Sequence, residues 1–142
     1  MTQSTIKFYE KQEERQIPLV CIYQHCDGYI EGVGHELAEW LLTKRLVNGI
    51  PLNASKENIA NGVGCLVAQY IRDFKEDVGG LYISAFNDEE EYNYEVYVDN
   101  YPYKINNPIN ELIEIVVKDW DGKEIFRGSP EELLKFKEDD DE

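Results

Sequence analysis

The chain has 142 residues, 42% apolar and 30% charged, with 29 acidic and 14 basic side chains and a net charge of −15. That length suits one domain with a core of its own, and the composition excludes a disordered or collagen-like chain. No apolar run approaches the roughly 18–20 residues of a membrane helix. So negative a chain also opposes direct binding to nucleic acid or to an anionic membrane, since both run on Lys and Arg.

Residues 1–16 are polar and charged and are expected to form a loose arm or an edge strand. Leu19 to Tyr23 is a continuous apolar run of strand length, which reads as a central strand. His25-Cys26-Asp27-Gly28-Tyr29 follows as a turn. A helix is expected from about Gly32–Gly34 to Val47, with Leu37, Ala38, Leu41 and Leu42 on one face. Asn48-Gly49 and Pro51 stop it.

Ser55 reads as the N-cap of a second helix. Ile59, Val63, Leu66, Val67, Tyr70, Ile71 and Phe74 repeat at helical spacing. Gly62 and Gly64 each cost such a helix about 1 kcal/mol. Close approach of another backbone is the expected reason, with Ala60, Gly64 and Ala68 as a small-residue row that packs helices within or between chains.

Leu81 to Phe86 and Glu91 to Asp99 read as strands. The second alternates, with Tyr92, Tyr94, Val96 and Val98 on one face. Tyr101 to Pro108 reads as a loop. Leu112 to Trp120 and Lys123 to Phe126 form a hairpin about Asp121-Gly122. Ser129-Pro130-Glu131-Glu132 starts a short helix with a capping box.

The expected order is β-α-α-β-β-β-β-α. It implies an α+β fold in which an antiparallel sheet of about five strands packs on two main helices. The expected bounds are a polar arm over 1–16, one α+β domain over 17–137 and a disordered acidic tail over 138–142.

The densest chemistry lies between His25 and His35. His25, Asp27, Tyr29, Glu31, Gly32 and Gly34 meet at a strand-to-helix junction. A helix N-terminus offers N–H groups and a positive dipole end, and Gly32 and Gly34 admit a ligand close to the backbone. His25 is placed as a proton donor to an anion there. This is the candidate site for an anionic or nucleotide-like ligand. The same residues also read as purely structural, with Asp27 and Glu31 capping the turn and helix and His25 satisfying a buried backbone group. The spacing matches no Walker loop and no zinc signature, so no metal and no cofactor are expected.

The stretch from Tyr23 to Gly34 resembles the signature of a family of short, uncharacterised bacterial and phage proteins. Its pattern is His-x-Asp-Gly-Tyr-x-Glu-Gly-x-Gly. The likeness continues through Ala60-Asn61-Gly62, Leu66 to Gln69, Glu91 to Val96 and Phe126 to Ser129. Ile30 stands where proline is usual and Cys26 where a larger residue is often found. The resemblance implies a small bacterial or viral accessory protein and carries no established activity.

Cys21, Cys26 and Cys65 have no CxxC spacing, so neither a zinc knuckle nor a disulfide framework is indicated. Met1 to Glu14 holds no apolar leader stretch. Reduced thiols in a cytoplasm follow, the host's cytoplasm for a viral chain.

The second candidate is an acidic, aromatic ribbon. Residues 88–142 hold 18 acids and six bases. Tyr92, Tyr94, Tyr97, Tyr101 and Tyr103 fall within 12 residues. Glu89, Glu90, Glu91, Tyr97, Tyr101 and Tyr103 are the residues expected to meet a partner protein with a basic surface. Nucleophilic catalysis finds no Gly-x-Ser-x-Gly elbow, and Cys26 and His25 point to opposite faces of an extended segment. The expected function is a small acidic interaction protein, with a ligand-binding protein or small enzyme using the His25–His35 turn as the alternative and a homo-oligomer packed through the small-residue row as a third reading.

Overall fold

The computed structural model describes residues 1–11, 17–47, 49, 58–85, 89–99 and 107–138. Ser55, Asp88, Tyr101, Tyr103 and residues 139–142 lie outside them. The fold is α+β. The strands are β1 Ser4–Glu10, β2 Pro18–Gln24, β3 Arg45–Val47, β4 Ile59–Asn61, β5 Leu81–Ile83, β6 Tyr92–Val98, β7 Ile113–Asp119 and β8 Glu124–Gly128. The helices are α1 His35–Leu42, α2 Gly62–Phe74, α3 Ile109–Leu112 and α4 Pro130–Lys135, and a π-helical turn at Ile30–Gly34 leads into α1.

Six strands form one sheet in the order β5-β2-β1-β6-β7-β8, and β3 pairs with β4 in a small second sheet. The expected antiparallel sheet is corrected here. β1 runs parallel to β6, with Ser4 opposite Tyr92 and Glu10 opposite Val98, so the main sheet is mixed. The expected arm is corrected too. Ser4–Glu10 is neither loose nor at an edge but lies between β2 and β6. Its alternation explains how so polar a segment sits at the centre. Ile6 and Phe8 enter the core. Thr5, Lys7 and Tyr9 face the opposite side, where Thr5 Oγ1 donates to Asn93 Oδ1 at 2.7 Å and Tyr9 stacks on Tyr97 at 4.6 Å.

The four described helices pack on one face. Leu37, Ala38 and Leu41 of α1, Leu66 and Tyr70 of α2, Ile109 of α3 and Leu133 of α4 share one apolar cluster with Ile6, Phe8, Ile22, Tyr94, Val96, Ile115 and Val117 of the sheet. Tyr70 docks α2. Its ring lies 5.8 Å from that of Phe8, and its hydroxyl donates to Gln24 Oε1 at 2.9 Å. No described helix covers the other face of the sheet, yet Thr5, Lys7, Tyr9, Cys21, Asn93 and Val116 on that face are all buried.

The first helix is shorter than its apolar pattern suggests. Thr43 and Lys44 N–H groups turn back to Trp40 and Leu41 carbonyls, and the Thr43 hydroxyl also donates to Trp40 O. Arg45 N–H then bonds Asn58 O and opens β3. In α2 the glycines do other work than expected. Gly62 holds φ +86° at the entry to the helix, a conformation glycine adopts at little cost. Gly64 is exposed, and a Cβ there would meet nothing, so it marks no close backbone approach.

The C-terminal half follows its sequence closely. Gly122 takes φ +83° in the β7–β8 hairpin. Ser129 Oγ accepts from Glu132 N–H, and Glu132 Oε1 accepts from Ser129 N–H, closing the capping box of α4.

Because β1 holds both neighbours, deletion of residues 1–10 should abolish cooperative urea unfolding. Phe8→Ala should lower stability by about 3–5 kcal/mol through the cavity it leaves. A truncated chain that still unfolds cooperatively with an unchanged midpoint would contradict the central place of β1.

Candidate functional site

The turn after β2 is built around Asp27. This residue takes φ +59°, a left-handed conformation that Asp tolerates better than most residues. Its carbonyl turns inward and accepts from Val33 N–H at 2.8 Å. Gly28 N–H donates to Thr2 O at 2.9 Å, and Gly28 O accepts from the buried Tyr94 hydroxyl at 2.7 Å. The turn is thereby tied to the chain leading into β1 and to the middle of β6.

The glycines answer to packing. A Cβ on Gly32 would collide with the Asp27 carbonyl. One on Gly28 would stand 2.7 Å from Ser4 Cβ, and one on Gly34 would press on the Tyr94 hydroxyl at 3.1 Å. The N–H groups of Gly32 and Gly34 both return to Tyr29 O, and Tyr29 itself is exposed. The open N–H cradle expected of a phosphate site is therefore filled from within at Gly28, Gly32, Val33 and Gly34.

The side chains also differ from the expected caps. Neither the π-helical turn nor α1 has a side-chain cap. His25 Nδ1 shares a 2.8 Å hydrogen bond with the Tyr23 hydroxyl rather than a backbone group. Glu31 reaches the C-terminus, where its Oε2 accepts from Glu138 N–H at 3.0 Å. His35 Nε2 donates to Phe136 O at 2.7 Å, and the Tyr92 hydroxyl donates to the Glu138 carboxylate at 2.7 Å. Glu138 is thus fixed against the turn, where a disordered tail was expected to begin.

Three segments far apart in sequence meet here. Gln3 N–H donates to Glu91 Oε1 at 3.1 Å. Asn93 closes a loop over Glu90, accepting from its N–H at 2.9 Å and donating to its carbonyl at 2.8 Å. Asp27, Glu31, Glu90, Glu91 and Glu138 therefore crowd one end of the sheet. The tyrosines register this charge. Burial, then the bond to Glu138 and the charges of Glu138, Glu31 and Glu91, push the Tyr92 hydroxyl well above its ordinary range. Burial and then the Glu90 charge push Tyr23 up. Burial and then Asp27 push Glu36 up.

The structure splits the expected ribbon. Glu90 and Glu91 sit beside the turn, at the start of β6, whereas the charge of Glu89 is felt at Tyr9. Tyr97 lies at the far end of the strand, about 17 Å away at 3.3–3.4 Å per residue. There it stacks on Tyr9, and its hydroxyl donates to Glu95 Oε1 at 2.8 Å. Tyr101 and Tyr103 lie outside the described residues. Sequence reasoning missed Asn93, and it missed Gln3, Tyr94 and Glu138, whose partners are 46 to 107 residues away. No local pattern marks such pairs.

Among the described residues no group of His, Cys, Asp and Glu is arranged to hold a metal ion, and no disulfide joins the three cysteines. No described helix is long and apolar enough to cross a membrane. Comparison of the chain with protein-family models, curated proteins and solved structures finds no match.

The turn should behave as a structural knot. Tyr94→Phe leaves the buried Gly28 carbonyl without its donor and should cost about 1–3 kcal/mol in urea unfolding. Gly32→Ala should cost at least as much, because backbone must move. Stability should also fall with alkali. The buried tyrosines, among them Tyr94, Tyr70 and Tyr9, are held neutral in the folded state, Tyr9 pushed up to about 12. Unfolded tyrosine ionises near pH 10, so the unfolded chain releases its protons first. The urea midpoint should drop between about pH 10 and pH 12, and a flat profile there would contradict the burial of these hydroxyls.

Proposed function

We propose that this chain is an interaction protein that binds a basic surface of a partner protein through the acidic end of its sheet. The observation that carries the proposal is the fixed grouping of Glu90 and Glu91 beside Asp27, Glu31 and Glu138. Asn93 holds the Glu90 backbone, Gln3 N–H holds the Glu91 carboxylate and the Glu31 carboxylate holds Glu138 N–H, so these charges are preorganised. A rigid acidic surface on a particle of net charge −15 attracts basic partners and steers their approach. The resemblance of the turn to short bacterial and phage proteins supports an accessory role in a cytoplasm.

The alternative, an anionic or nucleotide-like ligand at the turn, meets two obstacles. The N–H groups that would hold an anion already serve the fold, and the Asp27 and Glu31 carboxylates repel it. No observation favours it.

A fluorescent lysine-rich peptide serves as the probe, read by anisotropy. Its affinity should fall as salt rises from about 0.05 to about 0.5 M, the range over which the screening length shortens from about 14 Å to about 4 Å. The triple variant Glu89→Lys, Glu90→Lys, Glu91→Lys should weaken binding at least about tenfold at low salt with circular dichroism unchanged. Equal binding by the wild type and the triple variant would refute the proposal.

A further inference from the structure

We propose that residues 136–138 form a strap that opens and closes over the turn, and that a basic partner holds it closed. This rests on the reading of the acidic end as an interaction surface and says how that surface is regulated. The segment leaves α4 at Phe136, whose backbone is extended, with φ −78° and ψ 138°. Side chains from the π-helical turn, the start of α1 and the start of β6 hold it. His35 Nε2 donates to Phe136 O at 2.7 Å, Glu31 Oε2 accepts from Glu138 N–H at 3.0 Å, and the Tyr92 hydroxyl donates to the Glu138 carboxylate at 2.7 Å. The Phe136 ring lies 5.1 Å from that of Phe126. Lys137, between them, is exposed and joins none of these bonds.

The strap can leave without unfolding what lies before it. Helix α4 is fixed by its own contacts. Leu133 is fully buried, the Ser129–Glu132 capping box closes the first turn, and Asn110 and Glu131 tie α4 to α3. The Phe136 N–H closes α4 on Leu133 O. Beyond it the strap belongs to no helix or strand, and its described bonds go to side chains rather than to a ladder. A half-buried segment held by a few side-chain bonds opens locally at far less cost than a core strand.

Closure and charge are coupled. The closed strap sets the Glu138 carboxylate beside Glu31 and Glu91, and all three charges act on the one Tyr92 hydroxyl. Like charges so gathered repel, which favours the open strap. Lys and Arg of a partner reverse that balance, because they are attracted most by the state in which the carboxylates stand together. A ligand that binds one state better shifts the population toward it by its ratio of affinities, and the coupling is reciprocal. A basic partner therefore closes the strap, and a change that opens the strap weakens the partner's binding.

Amide hydrogen exchange at Glu138, followed by NMR with and without the lysine-rich peptide, tests this on the intact chain. In the free protein the Glu138 amide should exchange faster than the amides of β1 and β6. Saturating peptide should slow it at least about threefold and leave the core amides unchanged. His35→Ala, which removes no carboxylate, should speed Glu138 exchange about fivefold, as expected for the loss of one ordinary hydrogen bond, and weaken the peptide at least about twofold. His35→Gln, whose amide can again donate to Phe136 O, should restore both. Protection of the α4 amides checks that the variants fold, and the wild-type comparison needs no variant. Peptide that binds with the expected salt dependence yet leaves Glu138 exchange unchanged or faster overturns the strap and leaves the acidic reading standing. Glu138 protection equal to that of β6 overturns the strap too, because the segment then never opens on its own, and so does exchange at the wild-type rate in folded His35→Ala. Absence of salt-dependent binding overturns both readings.

Discussion

One buried hydrogen bond fixes the turn after β2 against the sheet. The Tyr94 hydroxyl, wholly buried on the helix side of the sheet, donates to the carbonyl of Gly28 at 2.7 Å. Tyr94 belongs to β6, the strand beside the central β1, and Gly28 belongs to the turn that launches the first helix. Unpaired, the carbonyl would sit among apolar side chains at a cost of about 1–3 kcal/mol. With it in place, Gly34 must lack a side chain, Asp27 must adopt its left-handed conformation, and the turn must lie against Ser4 and Thr2. The residues that look most like a ligand loop are those that satisfy this constraint.

The same constraint places the charge. Once the turn is fixed, Glu31 and Asp27 stand at the end of the sheet where β6 begins, and Glu31 captures the backbone of Glu138. Gln3 captures Glu91 from the other side. Carboxylates from three distant segments are brought together at a solvent edge, where water and counter-ions screen their repulsion. Repulsion among them lowers stability, and a basic partner would relieve it. That link connects the packing of the turn to the proposed function.

Local signals in the sequence carried the elements whose causes are local. The capping box at Ser129 and Glu132, the Asp121-Gly122 hairpin and the alternation of Tyr92, Tyr94, Val96 and Val98 are contained within a few residues, and each reads true. β1 does not read this way. Thr5 and Lys7 look like surface, because nothing nearby says that Asn93 will pair with the first and Glu95 will stand opposite the second. The parallel pairing of β1 with β6 spans more than eighty residues, a distance over which periodicity is silent. Helix α1 was read too long because Leu46 and Val47 continue an apolar pattern, whereas the Thr43 and Lys44 amides turn the chain into β3. The turn from His25 to Gly34 was legible as unusual and not as structural. Its glycines and its aspartate are shared by ligand loops and by tight knots, and only the positions of Tyr94 and Thr2 separate the two.

Amide hydrogen exchange at Gly28, Gly32 and Val33 tests this account most directly. A knot held by the fold should protect these amides nearly as well as those of β1 and β6, so that they exchange only with global unfolding. Exchange at rates close to those of an unstructured chain would show N–H groups open to solvent, and the turn would then be a place for a ligand after all.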